Sequence, residues 1–523
     1  MSTIATTLPS VRLGAALAPL DRTLGRVTMY RLVSSLLGAL ALVALVMSIT
    51  GTLSYEPSEL LASACVAVGV SYVTNRIVAP LFRVSPHGES AVITGLLLFF
   101  VFCPSSAAGD LLDLAVAATV ATLSKYVIAY RGRHLLNPAA AGAVFVGITQ
   151  MNASVWWIGG KELLPYVVVA GLLVLYRTRR LPMAAVFVVV STAIITIRLG
   201  DAGQSTGDAL QTALQSYPIL FLVAFMLSEP LTLPGRRYQQ LALAVFVGVL
   251  FAVPMHAGSV TMTPELALVL GNVAAFAVTR RSGVRLRFVG RRALGPTTAE
   301  YAFEPLRPVG FSAGQYAELA LPHRGADRRG VRRVFTIASA PAGEIAFGVR
   351  EAPERGSSFK GALAALEPGT VVTATTVAGD FLLPRDRSTP LLLVAGGIGV
   401  TPFVSQLRAE ASVAGAERTA SGPRDVVLVY GVTAGEGIPY RDELAATGVP
   451  VVLVGPDRPT DLPAGWTHVA ADRLTADVLE RSVPDARRRH GYVSGPPAMV
   501  DAVRGALRRL GVRRVRTDHF AGY

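Results

Sequence analysis

Leu391-Leu-Leu-Val-Ala395 runs without a break into Gly396-Gly-Ile-Gly-Val-Thr-Pro402 and then into Phe403-Val-Ser-Gln-Leu-Arg408. The first run is wholly apolar and too short for a typical helix. It suits a strand buried on both faces. The glycines allow a sharp turn, and an amphipathic helix follows. Strand, glycine turn and helix form half of a doubly wound α/β unit. Its glycines let backbone approach a dinucleotide, and the helix N-terminus faces the pyrophosphate. The spacing of Gly396, Gly397 and Gly399 differs from the general Gly-x-Gly-x-x-Gly pattern. A second buried strand follows at Val426-Val-Leu-Val-Tyr430, and Tyr492-Val-Ser-Gly-Pro-Pro-Ala-Met499 ends a strand and opens another helix. Residues 389–523 are therefore expected to form an α/β domain that binds NADH or NADPH. The stretch Gly431-Val-Thr-Ala-Gly-Glu-Gly437 holds no basic residue for a 2′-phosphate, which favours NADH.

Working backwards, residues 282–388 read as short strands with turns, the pattern of a β-barrel. The strand Arg333-Val-Phe-Thr-Ile-Ala-Ser339 suits a flavin. The guanidinium of Arg333 can pair with a pyrophosphate, the ring of Phe335 can stack, and Thr336 can hydrogen-bond. Arg350 precedes Gly356-Ser-Ser-Phe-Lys360, a turn that opens a helix and offers N–H groups to phosphate. The same turn also reads as a plain helix cap.

Residues 30–281 differ in kind. The whole chain of 523 residues is 51% hydrophobic and only 16% charged. A soluble globular protein carries about 25% charged residues, so part of this chain is expected in a lipid bilayer. Ten apolar spans are predicted: 30–50, 58–76, 90–104, 109–128, 136–150, 162–176, 181–198, 217–233, 239–256 and 264–280. Arg22, Arg26, Arg76, Arg83, Arg131, Arg133, Arg177, Arg179, Arg180, Arg236, Arg237, Arg280 and Arg281 fall in alternate loops. The positive-inside rule then places both termini in the cytoplasm of a multi-pass protein of the cell membrane. Residues 1–29 form a cytoplasmic segment with no cleaved signal peptide expected. The net charge of +14 is assigned to this topology, not to nucleic acid. Two cysteines, Cys65 and Cys103, are too few for an iron–sulfur cluster or a Cys-ligated zinc site, and no metal is expected.

Three spans are interrupted: the third at Phe102-Cys-Pro104, the fifth at Leu136-Asn-Pro138 and the eighth at Ser228-Glu-Pro230. Paired broken helices in inverted halves point to a central site. Asn137, Ser228 and Glu229 are its candidate residues, and a carboxylate such as Glu229 in an apolar segment marks function or a wet span end.

At these residues the helical half resembles the membrane flavoprotein family of the Rnf complex D subunit and the B subunit of sodium-pumping NADH:quinone reductase. The resemblance rests on Glu89-Ser-Ala-Val-Ile-Thr-Gly-Leu-Leu-Leu98, on Ser124-Lys-Tyr with His134-Leu-Leu-Asn-Pro-Ala-Ala-Ala-Gly142, and on Phe225-Met-Leu-Ser-Glu-Pro-Leu-Thr232. It implies ten helices in inverted repeats and FMN or riboflavin in the membrane. The family esterifies FMN to a threonine in a Gly-Ala-Thr setting. Here the matching loop reads Asp201-Ala-Gly-Gln-Ser-Thr-Gly207, with Thr206 the nearest residue and no Gly-Ala-Thr.

The C-terminal half resembles the ferredoxin–NADP reductase superfamily. That resemblance implies FAD held by Arg333, Phe335, Thr336, Ser339, Arg350, Gly356, Ser357 and Ser358, with Thr336 near flavin N5. It implies pyridine nucleotide at Gly396, Gly397, Gly399, Thr401 and Pro402, and nicotinamide beside Ser494, Gly495, Pro496, Pro497 and Met499. Phe520 or Tyr523 would cover the flavin. Phe335 stands where the family has Tyr, and Ser494 where it has Cys. Together the halves predict an oxidoreductase passing electrons from cytoplasmic NAD(P)H through FAD to a membrane flavin, then to quinone or an extracytoplasmic FMN-binding protein. Two alternatives stay open: a helical half that only anchors the reductase, and a solute or ion channel gated by it.

Overall fold

The computed structural model describes residues 27–82, 87–130, 133–258, 260–279, 283–327, 331–341, 343–351, 357–416 and 424–519. Gly356, Phe520 and Tyr523 lie outside them, as do Arg22, Arg26, Arg83, Arg131, Arg280 and Arg281. The described residues fall into two compact units that divide near residue 282.

The first unit is helical: α1 Met29–Ile49, α2 Pro57–Leu81, α3 Gly88–Val101, α4 Ala108–Val127, α5 Pro138–Ile148, α6 Leu164–Thr178, α7 Leu181–Asp201, α8 Thr206–Ser216, α9 Ile219–Leu227, α10 Arg237–Ala252 and α11 Pro264–Thr279. Local sequence sets several starts. Thr28 caps α1 by accepting from the Arg31 N–H, and Asn137 caps α5 by accepting from the Ala140 N–H, with Pro138 at the first helical position.

The expectation of ten spans is corrected. Among the described residues three helices are long and apolar enough to cross a bilayer, α1, α2 and α7; the bent pair α8–α9 makes a fourth if it counts as one span. The reason is length. The helices α3, α5, α6, α10 and α11 have 11 to 16 residues, whereas a hydrocarbon core of about 30 Å needs about 20. α4 has 20 residues but carries Asp110, Asp113 and Lys125. The expected outer loop around Thr206 is also corrected, because Ser205 caps a helix there and Thr206 is its first residue. α8 and α9 meet at 49° around Pro218, and Leu222–Leu227 winds as a π-helix, with Ser228 N–H donating to the Val223 carbonyl at 3.2 Å.

The second unit holds two six-stranded sheets. The first joins β1 Val284–Gly295, β2 Thr298–Pro305, β3 Tyr316–Ala320, β4 Arg332–Thr336, β5 Ile345–Arg350 and β6 Val371–Ala378. They run antiparallel in the order β4-β3-β6-β1-β2-β5. The expected barrel is thus seen as a sheet; its edge strands meet at one isolated bridge, Ile337 to Phe347. α12, Ser358–Ala364, packs Phe359 and Leu363 into its core.

The second sheet joins β7 Leu391–Gly396, β8 Val426–Gly431, β9 Val451–Gly455, β10 Trp466–Ala470, β11 His490–Gly495 and β12 Val515–His519. All its pairs are parallel, in the order β10-β9-β8-β7-β11-β12. Every residue of β7 is buried. Alternation explains why. Leu391, Leu393 and Ala395 face one core with Phe403, Val404 and Leu407 of α13, Thr401–Ala416. Leu392 and Val394 face another core with α15, Ala476–Ser482, and α16, Pro497–Arg509. A further helix, α14 Arg441–Ala446, follows β8.

His490 opens β11. Burial first, then the positive Arg514 and Arg516, lowers its pKa from 6.5. The unfolded chain therefore holds this proton more tightly. The stabilising contribution is complete above about pH 6.5 and is lost as pH falls through the depressed folded value. His490→Asn is expected to flatten the melting temperature between about pH 5 and 7. A profile as steep as that of the parent protein overturns this expectation.

Candidate functional site

β7 is the first strand of the parallel sheet. Its neighbours are the second, β8, and the fifth, β11, with Ala395 beside both Tyr430 and Ser494. Chain order therefore reverses direction at β7, and ligands of open α/β sheets sit outside the C-terminal strand ends at such a point. The turn Gly397–Val400 and the start of α13 lie there. So does the start of α16, capped by Pro496. Gly397 takes φ +53°, a left-handed conformation that glycine adopts without strain. A Cβ on Gly399 would lie 2.5 Å from the Gly495 Cα and 2.7 Å from the Ser494 carbonyl oxygen. One on Gly396 would strike the Met499 sulfur. The two glycine-bearing loops are thus in backbone contact, which brings Gly396, Gly397, Gly399, Thr401 and Pro402 together with Gly495, Pro496, Pro497 and Met499. Thr401 is buried and its hydroxyl donates to the Ile398 carbonyl at 3.1 Å. Ser494 is fully buried, and its hydroxyl has no partner among the described residues.

The antiparallel sheet presents the second group. Arg333 is buried on β4, and its guanidinium lies 3.1 Å from Asp327 and 5.4 Å from the Phe359 ring centroid. Phe335 packs near Phe347 and Phe359, with centroids 6.1 and 5.8 Å away. Thr336 is buried beside them in sequence, paired with Tyr316 of β3. Ser339 accepts from the Ala346 N–H. Ser357 caps α12 by accepting from the Lys360 N–H. The Ser358 hydroxyl is occupied within the chain. His323 Nδ1 faces the Leu321 carbonyl at 2.8 Å, so Nδ1 carries the proton. In the neutral ring Nε2 then accepts from Ser358 at 2.9 Å, while the Asp327 N–H donates to the same hydroxyl. Arg350 leaves this group; it is exposed and pairs with Glu436 in the loop after β8.

Residues that carried no motif join the two sheets. Glu300 of β2 pairs with Arg292 of β1 at 2.8 Å and with Arg408 of α13 at 3.5 Å, and Glu443 of α14 contacts both arginines. Arg408 lies 5.5 Å over the ring of Tyr440. A Cβ on Gly348 of β5 would lie 2.7 Å from the Tyr440 hydroxyl and 2.7 Å from the Thr401 methyl. Burial, helped by Glu300, pushes the Tyr440 phenol well above its ordinary range. Tyr440 also adopts φ +60°, rare for a side chain of its size. Nothing in the local sequence announces that conformation.

In the helical unit the break before α5 meets the end of α9. Glu229 accepts from Asn137 Nδ2 at 3.0 Å and lies 2.8 Å from His134 Nε2. The Asn137 N–H donates to Asn272 of α11 at 2.7 Å. Arg133 is buried and donates to the carbonyls of Leu231 and Pro230. Ser228 is buried but bonds back to the Ala224 carbonyl. A small opening, large enough for about one water, lies beside Arg133, His134, Thr232 and Asn272. The third break does not join this cluster. The Val101 carbonyl accepts from the N–H groups of Val155 and Trp156, where a buried carboxylate, Glu265, accepts from Ser154 and Trp156. Thr206 is exposed at the start of α8 and shares no hydrogen bond with either cluster among the described residues.

Residues 393–505 match the family described as the oxidoreductase NAD-binding domain. Ferredoxin–NADP reductase B of Sorangium cellulosum is 32% identical over 244 residues, 44% of this chain and 93% of that protein. The reductase subunit of an aromatic O-demethylase from Amycolatopsis is 31% identical over 231 residues, 41% of this chain; the chain spans only 62% of that relative's length. The solved Amycolatopsis cytochrome P450 reductase GcoB is 26% identical, covering 46% of this chain and 70% of its own, with a TM-score of 0.37. A parallel sheet with two glycine-bearing loops in backbone contact, and nearly a full reductase matched by sequence, lead to one conclusion: through its C-terminal half this chain belongs to the ferredoxin–NADP reductase family of FAD-dependent NAD(P)H oxidoreductases.

Proposed function

We propose that this protein is a membrane-associated NAD(P)H oxidoreductase that delivers electrons to a second flavin in its helical unit, and from there to quinone or an acceptor beyond the bilayer. The observation that carries this reading is the continuity of a reductase unit with an apolar unit holding a buried polar cluster. In that cluster the Asn272 Nδ2 is buried with no hydrogen-bond partner among the described residues. It is a donor suited to a carbonyl oxygen of a flavin or quinone, and such orphaned groups call for an explanation. Residues 30–281 then form the membrane domain with cytoplasmic termini, 282–388 the flavin domain and 389–523 the nucleotide domain.

FAD fits the antiparallel sheet on one structural test. The Asp327 carboxylate already occupies Arg333 and the Ser358 N–H, so the donor set accepts an anion. When bound, FAD takes a hydride and returns electrons singly. The residues supply the rest. Arg333 and Ser357–Ser358 hold the pyrophosphate, Phe335 packs along the ring system, and Thr336 offers a hydroxyl. The Gly396–Gly399 turn and the α13 N-terminus hold the nucleotide pyrophosphate. The Gly495-Pro-Pro loop would confine the nicotinamide, next in sequence to Ser494, whose buried hydroxyl has no partner among the described residues.

Flavin quantitation on purified full-length protein, native and acid-denatured, tests the relay. More than one flavin per chain is expected, and a flavin that survives denaturation would implicate Thr206. A single flavin per chain defeats the relay. A second reading then applies, favoured by what the relatives' names say of them: the reductase serves an oxygenase-type or demethylase-type protein partner and the helices anchor it. The channel reading is supported by no observation beyond the helix breaks.

A further inference from the structure

We infer that Asp327 is a built-in competitor of FAD, so that its carboxylate sets the affinity for the cofactor by holding the pyrophosphate donors until FAD displaces it. This rests on the proposed assignment of Arg333 and Ser358 to the FAD pyrophosphate.

Three contacts carry the inference. Asp327 Oδ1 is 3.1 Å from Nη2 of Arg333, whose side chain is only 4% exposed. Asp327 Oδ2 accepts the Ser358 N–H at 3.1 Å. The Asp327 N–H donates to the Ser358 hydroxyl at 2.8 Å. Asp327 therefore presents its carboxylate to a buried guanidinium and a backbone N–H, and its own N–H to the Ser358 hydroxyl. The guanidinium and the backbone N–H are donors of the kind a diphosphate uses. Two anions cannot share them, because like charges at hydrogen-bond distance repel strongly where solvent is excluded.

The contact also has a reason to exist. A buried guanidinium without a counter-charge is strongly destabilising, so a chain newly folded and free of FAD needs an anion here. Asp327 supplies it from a polar stretch, His323-Arg-Gly-Ala-Asp327, in which Gly325 takes φ +68°. Its side chain is 29% exposed, so it has water to turn into when FAD arrives. The cost of that displacement lowers apparent affinity for FAD, as any competing occupied state does.

The test uses full-length protein stripped of flavin and titrated with FAD, with binding followed by flavin fluorescence. Asp327→Asn keeps the shape and removes the charge. It is expected to tighten FAD binding about tenfold, equivalent to about 1.4 kcal/mol, and to lower the melting temperature of the flavin-free form only. Arg333→Gln, or Arg333→Lys should the first fail to fold, is the control and is expected to weaken FAD binding. If D327N binds FAD no more tightly than the parent while the Arg333 variant binds it more weakly, Asp327 is an orienting partner of Arg333; the inference is wrong and the FAD assignment survives. If the Arg333 variant binds FAD as tightly as the parent protein, the pyrophosphate assignment fails and takes the inference with it.

Discussion

Gly399→Ala is expected to lower kcat/KM for NADH oxidation by about 100-fold while FAD stays bound. The added methyl would sit 2.5 Å from the Gly495 Cα, 2.7 Å from the Ser494 carbonyl oxygen and 2.8 Å from the Gly495 nitrogen. All three are backbone atoms at the end of a buried strand, so no rotamer change relieves the clash. One of the two loops of the proposed nucleotide crevice must move by several tenths of an ångström or more. A misplacement of about 1 Å between reacting groups costs about 100-fold in rate. Arg333 and Phe335, proposed to hold the flavin, lie on a different sheet and keep their packing. Gly396→Ala is the informative companion. Its new methyl meets chiefly the flexible Met499 side chain, so a smaller loss is expected. Steady-state kinetics with a flavin absorption spectrum decides the matter. Equal losses in both variants would mean that backbone contact between the loops is not what limits the site.

Glu300→Ala is expected to destabilise the reductase unit by about 2–3 kcal/mol, less than the about 3–5 seen when a fully buried pair is broken. The discount reflects Arg292, which is half-exposed and screened by water. Glu300 is the carboxylate between Arg292 and Arg408, and Arg408 lies 5.5 Å over the ring of the buried Tyr440. Its loss leaves two guanidiniums on Glu443 alone. The melting temperature is expected to fall by about 4–12 °C, since each kcal/mol moves a domain of this size by about 2–4 °C. Glu300→Gln, which keeps the shape, is expected to fall between. A melting temperature unchanged in both variants would show that the cluster contributes nothing to holding the sheets together.

The α/β half was legible because its signals are local. A strand with no polar residue must be buried on both faces, and a glycine turn before a helix leaves few alternatives. The helical half was less legible. Hydropathy over-counted spans because runs such as Pro138–Ile148 are apolar enough but too short, and polar composition suggested a loop at Thr206 where a helix begins. Sequence places Arg350 near the Gly356-Ser-Ser turn, and the structure adds an ion pair with Glu436, 86 residues away.

Composition, periodicity and the two glycine-bearing turns determined, by themselves, that this chain joins an apolar helical part to a nucleotide-binding α/β part. Those features act within a few residues, where backbone conformation and burial are decided. Only the tertiary structure decided that Glu229 closes on His134 and Asn137, that Asp327 sits on Arg333 and Ser358, and that Tyr440 and Glu300 join the sheets. Each of the three depends on charged or polar groups being carried by different elements into one desolvated spot. There an unmatched group is costly enough to select its partner, and no stretch of sequence records the distance between them.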